Sequence, residues 1–149
     1  MKQNDGKEIE GIFQTAVKGE GLSIYRLYDT KSAGKFLPAQ PADYMGGVAG
    51  VATLIECKSS DHHKSFKDCA LKDYISSVQF GHMKRWRVNG NVGVYIFKSL
   101  LADEIEVWDA DTVLKAYQSG WSKNPRPVVC TKKTLIKEFT ILVLRQANG

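Results

Sequence analysis

The sequence predicts a mixed α/β fold, a β-sheet flanked by helices, on the strength of its element order, its composition and its length. Segments of helical and strand periodicity follow one another as helix, strands, helix, strands, which differs from a regular βαβ winding. The composition, 43% hydrophobic and 25% charged, is that of an ordinary globular protein. A chain of 149 residues suits a single domain that buries roughly 70% of its unfolded surface.

The first predicted elements are a helix, a strand and a loop. From Lys7 to Val17, apolar residues recur at the spacing of one helical face, with Asn4 or Asp5 as a plausible N-cap. The stretch LSIYRLYD is rich in aromatic and β-branched side chains, which favours a strand, and its alternating residues predict burial on one face and in part on the other. The segment TKSAGKFLPAQP, with its Gly, Ser, Lys and Pro residues, predicts a basic loop.

A hairpin is predicted within PADYMGGVAGVATLIECKSS. The segments ADYMG and VATLIECK have strand character, and Gly46, Gly47 and Gly50 are expected in the turn between them. The second strand is apolar on both faces until Glu56. A charged residue that follows a buried apolar segment lies at the edge of the core. Placing a charge there costs free energy, so we expect such a residue to have a functional role.

Three charged side chains of this hairpin are candidates for chemistry. Side chains alternate along a strand, so Glu56 and Lys58 share a face, and antiparallel pairing through the turn brings Asp43 beside Glu56. Two converging carboxylates repel unless a proton or a metal lies between them, which indicates a divalent cation with oxygen ligands. A lysine beside such an ion suits orienting or deprotonating a water, or stabilising a phosphoryl oxygen. The alternative is an exposed Glu56–Lys58 ion pair, with Asp43 serving the turn.

The second half of the chain contains two more predicted helices and three more strands. The polar segment DHHKSFKDCALKDY becomes helical, and the helix continues through ISSVQFGHMKRWRV to a stop at Gly90. The segments VGVYIFKSL and EIEVWDA predict strands, and DADTVLKAYQSG predicts a short helix closed by Gly120. The segment FTILVLRQ predicts a last strand.

Charge and cysteine content limit the partners and the location. The net charge of +5 and the pI near 9.1 favour polyanions, although many proteins without a nucleic-acid partner are this basic. Cys57, Cys69 and Cys130 form no CxxC pair, and no secretory signal is visible, so we expect free thiols and a cytoplasmic protein. The longest apolar run is shorter than the ~20 residues of a membrane-spanning helix, so no membrane is expected.

These motifs resemble the PD-(D/E)xK nuclease superfamily. Pro41-Ala42-Asp43 is followed thirteen residues after the aspartate by Glu56-Cys57-Lys58, and Ala42, which separates the proline from the aspartate, is a departure from the pattern. The segments GKEIEGIF, IYRLYD, PADYMG, TLIECKSS and VQFGHMKRW occur in the order seen in RecU-type Holliday-junction resolvases and related phage resolvases. The resemblance covers about residues 6–108, leaves 109–149 unmatched, and implies a restriction-endonuclease-like core.

The resemblance also implies a metal site. Asp43 and Glu56 would bind Mg²⁺, for which Mn²⁺ can substitute, the Cys57 carbonyl would add a ligand, and Lys58 would handle the attacking water.

In that family a glutamate on the first helix completes the site, and a glutamine on the second helix supports it. Glu8, Glu10 and Glu20 are candidates for the glutamate, and Ile9-Glu10 matches the pattern of an apolar residue before it, which favours Glu10. Gln79 is similar to the supporting glutamine, with a solvent-facing helix position as the alternative.

Basic residues near the proposed site are candidates for contacting DNA phosphates without reading bases, or else form a solvated face. They are Lys31, Lys35, Lys64, Lys84, Arg85 and Arg87. His62 and His63 lack a second Cys/His pair at zinc-ligand spacing, so we expect surface histidines, with DNA contact as a second possibility.

The function implied by the resemblance is a Mg²⁺-dependent endonuclease that resolves four-way or branched DNA in recombination or repair, in a bacterial cytoplasm or in the host of a phage. Symmetric cuts on two strands require two active sites, so a homodimer is expected. The alternatives are another nuclease of this superfamily acting on duplex DNA in repair or restriction, a non-catalytic basic DNA-binding module, and an accessory protein of a phage or mobile element.

Overall fold

A computed structural model describes residues 7–27 and 42–149 of the chain. This part folds into a six-stranded mixed sheet, in the order β1-β2-β3-β4-β5-β6, with helices packed on both faces. The predicted α/β class with a mixed, helix-flanked sheet is therefore confirmed. The predicted loop with Lys31 and Lys35, and the N-cap candidates Asn4 and Asp5, lie outside the described residues.

The strands and helices have the following bounds. The strands are β1 Ser23–Arg26, β2 Tyr44–Val48, β3 Val51–Ser60, β4 Val92–Ser99, β5 Ile105–Asp109 and β6 Val128–Cys130. The helices are α1 Lys7–Glu20, α2 Leu71–Tyr74, α3 Ser77–Val88, α4 Ala110–Ser119 and α5 Leu135–Asn148, with a 3-10 turn at Phe66–Asp68. Within the described ranges, none of these helices is long and apolar enough to cross a membrane.

The central strands β3 and β4 run parallel, and all other neighbouring strands pair antiparallel. The connection from β3 to β4 passes through the 3-10 turn, α2 and α3. Because β3 and β4 are parallel, their carboxyl ends lie at the same edge of the sheet. Glu56 and Lys58 lie in the second half of β3, where the strand still pairs with β4 but no longer with β2.

Two apolar cores cover the two faces of the sheet. On one face, α1 and α5 pack on β3 and β4, and Phe13 makes edge contacts with Tyr44 and Phe139 at 5.1 and 5.5 Å between ring centroids. On the other face, α2, α3 and α4 cover Leu54 and Trp108. Residues 109–149, which lack a counterpart in the resemblance, supply α4, β6 and α5, so they contribute to both cores.

The prediction that FTILVLRQ forms a last strand is wrong, because these residues lie within helix α5. Leu135, Phe139, Leu142 and Val143 are the buried residues of this helix and recur at helical spacing. The β-branched residues of the segment favour a strand only weakly, and the burial of one helical face against the sheet outweighs that preference.

The prediction that Gly46 and Gly47 belong to the hairpin turn is also wrong, because β2 continues through them to Val48. The turn consists of Ala49 and Gly50, with φ angles of 50° and 82°. Two successive residues with positive φ are typical of the two-residue turns that match the twist of paired strands. Gly50 lies in the turn, as predicted.

The long helix predicted from the Asp61 segment to Gly90 is divided in the structure. A 3-10 turn and the single turn α2 precede α3, which begins after Ser76. Ser76 is the N-cap, and its side chain and that of Gln79 form a reciprocal capping box. This capping box starts a new helix because it satisfies backbone N–H groups that would otherwise be orphaned at the N-terminus.

Gly46 is required by the close approach of β1 to β2. A Cβ atom there would lie 2.2 Å from the Ser23 carbonyl oxygen and 2.6 Å from the Ile24 Cα, whereas one on Gly47 would meet nothing within 4 Å. We predict that Gly46→Ala lowers the free energy of unfolding by about 1–3 kcal/mol. Gly47→Ala, the matched control, should be neutral or slightly stabilising. Urea unfolding measures both, and equal effects of the two substitutions would contradict this prediction.

Candidate functional site

Asp43 and Glu56 lie side by side where the pairing of β2 with β3 ends. The last backbone pair is Tyr44 with Ile55. Beyond it, the two carboxylates accept hydrogen bonds from backbone N–H groups in place of backbone carbonyls. Asp43 Oδ2 accepts a hydrogen bond from the Cys57 N–H at 2.8 Å, and Glu56 Oε1 accepts one from the Asp43 N–H at 2.9 Å. The hairpin thus brings together the two carboxylates that the sequence places thirteen residues apart.

Glu56 is buried and Asp43 is half-buried, and this changes the electrostatics of the pair. Glu56 is only 2% exposed, and within the described part of the chain the partner of its Oε2 atom is the Lys58 amine. Burial, and secondly the charge of Glu56, raise the pKa of Asp43 to about 7, against the lowering effect of the Cys57 N–H and of Lys58. A site that holds two carboxylates in this way favours the entry of a proton or a cation.

Lys58 is held beside this pair by contacts on two sides. Its Nζ atom lies 3.1 Å from Glu56 Oε2 and donates a hydrogen bond to Gln79 Oε1 at 3.2 Å. The same Gln79 oxygen accepts the Ser76 N–H at 3.2 Å as part of the capping box of α3. The capping box therefore holds the Gln79 side chain in place, and Gln79 in turn holds Lys58. This explains why Gln79 contacts the site instead of facing solvent.

The first-helix glutamates have different surroundings. Glu10 forms an ion pair with Arg26 of β1, and its charge is one of those that raise the pKa of Asp43. Glu8 pairs with the buried Lys98, 3.2 Å away, and Glu20 is exposed at the end of α1. Glu10 is thus the candidate whose charge acts on the carboxylate pair, although its own partner is an arginine.

The described donors fit a magnesium ion in part. Among residues 7–27 and 42–149, no group of three or more His, Cys, Asp or Glu side chains is arranged to hold a metal. The N–H and C=O of one strand residue point to the same side, so the Cys57 carbonyl faces the side on which its N–H meets Asp43. Two neighbouring carboxylates and a carbonyl are hard oxygen donors of the kind that suits Mg²⁺.

The Cys57 thiol is not part of this donor set. Its side chain lies in the core on the α1 and α5 face of the sheet, opposite to Glu56 and Lys58. Burial raises the pKa of the Cys57 thiol well above its usual range, so the group stays protonated. Cys57, Cys69 and Cys130 are all free and buried, as the cysteine pattern predicts.

The basic candidates fall into two groups. Arg87 donates hydrogen bonds to both carboxylate oxygens of Asp111 at 2.8 and 2.7 Å and one to the Asn91 carbonyl at 2.9 Å, so most of its donors are engaged within the protein. Lys64, Lys84 and Arg85 are exposed.

The two adjacent histidines lie on the connection that follows β3. His62 contacts Asp61 at 2.6 Å, and the backbone N–H groups of His62 and His63 both donate to Ser60 Oγ. His62 is exposed and His63 is half-buried, which agrees with surface histidines.

Sequence reasoning did not single out Arg26 and Tyr44 as parts of the site. Arg26 lies over the Tyr44 ring at 5.6 Å, and Gln14 donates to the Tyr44 hydroxyl at 2.8 Å. The strand alternation of SIYR indicates that Ile24 and Arg26 share a face, but it does not reveal which helix residue meets them. The S-x-x-Q spacing of Ser76 and Gln79 is, in contrast, a helix-start signal readable from the sequence.

No family model matches this chain, and no curated protein matches it. The function must therefore be inferred from the chemistry of the site. The fold and the site define a partly buried acidic pair with an adjacent lysine, at the end of a hairpin in a helix-flanked mixed sheet.

The raised pKa of Asp43 predicts a pH-dependent stability. Because the pKa rises from 3.8 to about 7 on folding, the folded chain binds more protons than the unfolded chain between these values. Stability must then fall as the pH rises through this window. We predict that Asp43→Asn, which keeps an oxygen acceptor for the Cys57 N–H, is more favourable relative to wild type at pH 8 than at pH 5.

Urea unfolding in metal-free buffer at both pH values measures this difference. Asp103→Asn, at an exposed position between β4 and β5, is the matched control and should behave alike at the two pH values. An Asp43→Asn effect that is the same at pH 5 and pH 8 would rule out the titration of this carboxyl on folding.

Proposed function

We propose that the protein is a Mg²⁺-dependent endonuclease that hydrolyses phosphodiester bonds in branched DNA, with four-way junctions as the main substrate. The observation that carries the proposal is the convergence of Asp43, Glu56 and Lys58, which joins a half-buried and a buried carboxylate to an amine 3.1 Å from the buried one. Acidic oxygen ligands next to a positioned lysine are the combination that metal-assisted hydrolysis of a phosphodiester needs.

The residues would divide the chemistry as follows. Asp43, Glu56 and the Cys57 carbonyl would hold the ion, which when bound supplies Lewis-acid polarisation and lowers the pKa of a bound water. Lys58, kept in place by Gln79, orients or deprotonates the attacking water, or stabilises the charge that develops on a phosphoryl oxygen. In-line attack would leave a 5′-phosphate on the product.

The choice of substrate depends on the resemblance to junction resolvases and on the surface charge. The net charge of +5 and the exposed cations Lys64, Lys84 and Arg85 suit a phosphate backbone held without base-specific contacts. Cutting a four-way junction symmetrically needs two sites, so the active form would be a two-fold dimer. A nuclease that acts on linear duplex in repair or restriction would use the same site without this requirement.

One observation favours a second candidate function, a non-catalytic DNA-binding module. Asp43 and Glu56 each accept a backbone N–H, and Glu56 pairs with Lys58, so all three have structural roles in the hairpin. In this alternative the basic surface binds nucleic acid, and the acidic pair only closes the end of the β2–β3 ladder.

Cleavage assays on a synthetic four-way junction distinguish these functions. We predict that Asp43→Asn and Lys58→Ala each lower the cleavage rate in Mg²⁺ by about 100-fold or more, because the first removes a carboxylate that would hold the ion and the second removes the group that would handle the attacking water. Junction binding in Ca²⁺ or EDTA, measured by fluorescence anisotropy, should be retained. Lys67→Ala, at an exposed position near the site along the chain, is the matched control and should cleave like wild type.

Two outcomes would count against the proposal. Junction binding without cleavage by the wild type in Mg²⁺ or Mn²⁺ would favour the binding module. Equal rates on the junction and on a linear duplex of the same arm sequence would retain the nuclease but reject the junction preference.

A further inference from the structure

Glu10 has the chemistry of a metal ligand, and its backbone carbonyl accepts a hydrogen bond at 3.4 Å from the hydroxyl of Tyr44, the residue after Asp43, but an arginine holds its carboxylate. The Arg26 guanidinium donates to the Glu10 carboxylate, and guanidinium groups stay charged at any physiological pH. A change in pH therefore does not release this pair. Glu10 becomes available to another cation only if it exchanges partners.

The charges around the site leave one carboxylate without a cationic partner. Arg26 is paired with Glu10, and Lys58 lies against Glu56, while Asp43 is held by a backbone N–H. Three carboxylates thus face two cations within the described residues. A divalent ion placed between Asp43 and Glu56 would give the site more positive than negative charge, and it would attract the Glu10 carboxylate toward the ion.

The cost of exchanging Arg26 is low for two reasons. The side chains of Arg26 and Glu10 are 35% and 20% exposed, so water screens their ion pair in part and lowers its net contribution to the free energy. The guanidinium also has a second partner in place, because it lies 5.6 Å from the centroid of the Tyr44 ring and 3.5 Å from the Tyr44 hydroxyl.

Space for the exchange is present beside the same side chain. A cavity of about 220 Å³ is lined by Arg26 together with Gln14, Lys18, Tyr25 and Tyr44. A guanidinium that leaves Glu10 can therefore stay against Tyr44, without disturbing the apolar core beneath α1.

We infer that Arg26 is an exchangeable partner of Glu10, which holds this carboxylate in the metal-free protein and gives it up to the ion bound by Asp43 and Glu56. This inference rests on the proposed metal site. It assigns Arg26 a positioning role that acts through Glu10. It also accounts for a first-helix glutamate whose charge acts on Asp43 and which is nevertheless paired with an arginine.

The test is a Mg²⁺ titration of the ¹⁵N-labelled full chain, followed by calorimetry and by the side-chain Nε–Hε signals of arginine. The Arg26 signal, identified by its loss in Arg26→Lys, should shift in proportion to the bound fraction of Mg²⁺. At saturation it should approach the position that it has in Glu10→Gln. The Arg87 signal is the internal control, because Arg87 keeps its pair with Asp111 and should not move.

A second measurement uses affinity. Arg26→Gln should bind Mg²⁺ about 2- to 5-fold more tightly than wild type, because the ion no longer displaces an ion pair of this strength. Lys18→Gln removes a nearby cation that lines the same cavity without freeing Glu10, so its effect should be smaller.

The outcomes separate this inference from the proposed function. Mg²⁺ binding with an unmoved Arg26 signal, or an Arg26→Gln affinity no higher than that of Lys18→Gln, would overturn the exchange and leave the metal site standing. No Mg²⁺ or Mn²⁺ binding in wild type or in Arg26→Gln would overturn the metal site, and the exchange with it.

Discussion

The carboxylate of Asp43 continues the backbone ladder of β2 and β3 after the strands have stopped pairing. Its bond to the Cys57 N–H, and the reciprocal bond from its own N–H to Glu56, satisfy donors at the rim of a buried sheet, where an unpaired donor is costly. These two reciprocal bonds join Asp43 and Glu56 into what we call the crossed pair, and the other residues of the site surround it. Lys58 lies on the Glu56 side, and α1, which packs on the opposite face of the sheet, carries Glu10, the partner of Arg26 in β1.

The crossed pair has an electrostatic cost that the rest of the fold partly offsets. Two neighbouring carboxylates, one buried and one half-buried, repel each other, and the fold provides a backbone N–H for each and a lysine for one. The capping box of α3 contributes at a distance, since it holds the Gln79 oxygen that Lys58 contacts. The stability of a helix start and the position of a site lysine are therefore coupled through one side chain.

The sequence predicts the centre of this arrangement better than its surroundings. Period-two alternation places Glu56 and Lys58 on one face, and a hairpin then brings Asp43 to them, so local rules suffice for these three residues. The glycines were misleading because Gly46 serves a contact with β1 that depends on tertiary structure. Arg26 was missed for a similar reason, since its partner lies sixteen residues away on a helix packed across the strand. In α5, burial of one face decided between two conformations that the local sequence permits.

The two-residue turn at Ala49 and Gly50 sets the length of the motif as well as its shape. Five paired residues on each side of this turn account for the twelve residues that separate Asp43 from Glu56. Lengthening such a hairpin adds one residue to each strand, so its acidic residues can be separated by other even numbers of residues while still facing each other. An odd separation needs a bulge or a different turn. Whether the number of residues between the two acidic residues is even or odd can therefore be checked in distant sequences of this architecture. The check discards chance matches that a search for the bare motif accepts.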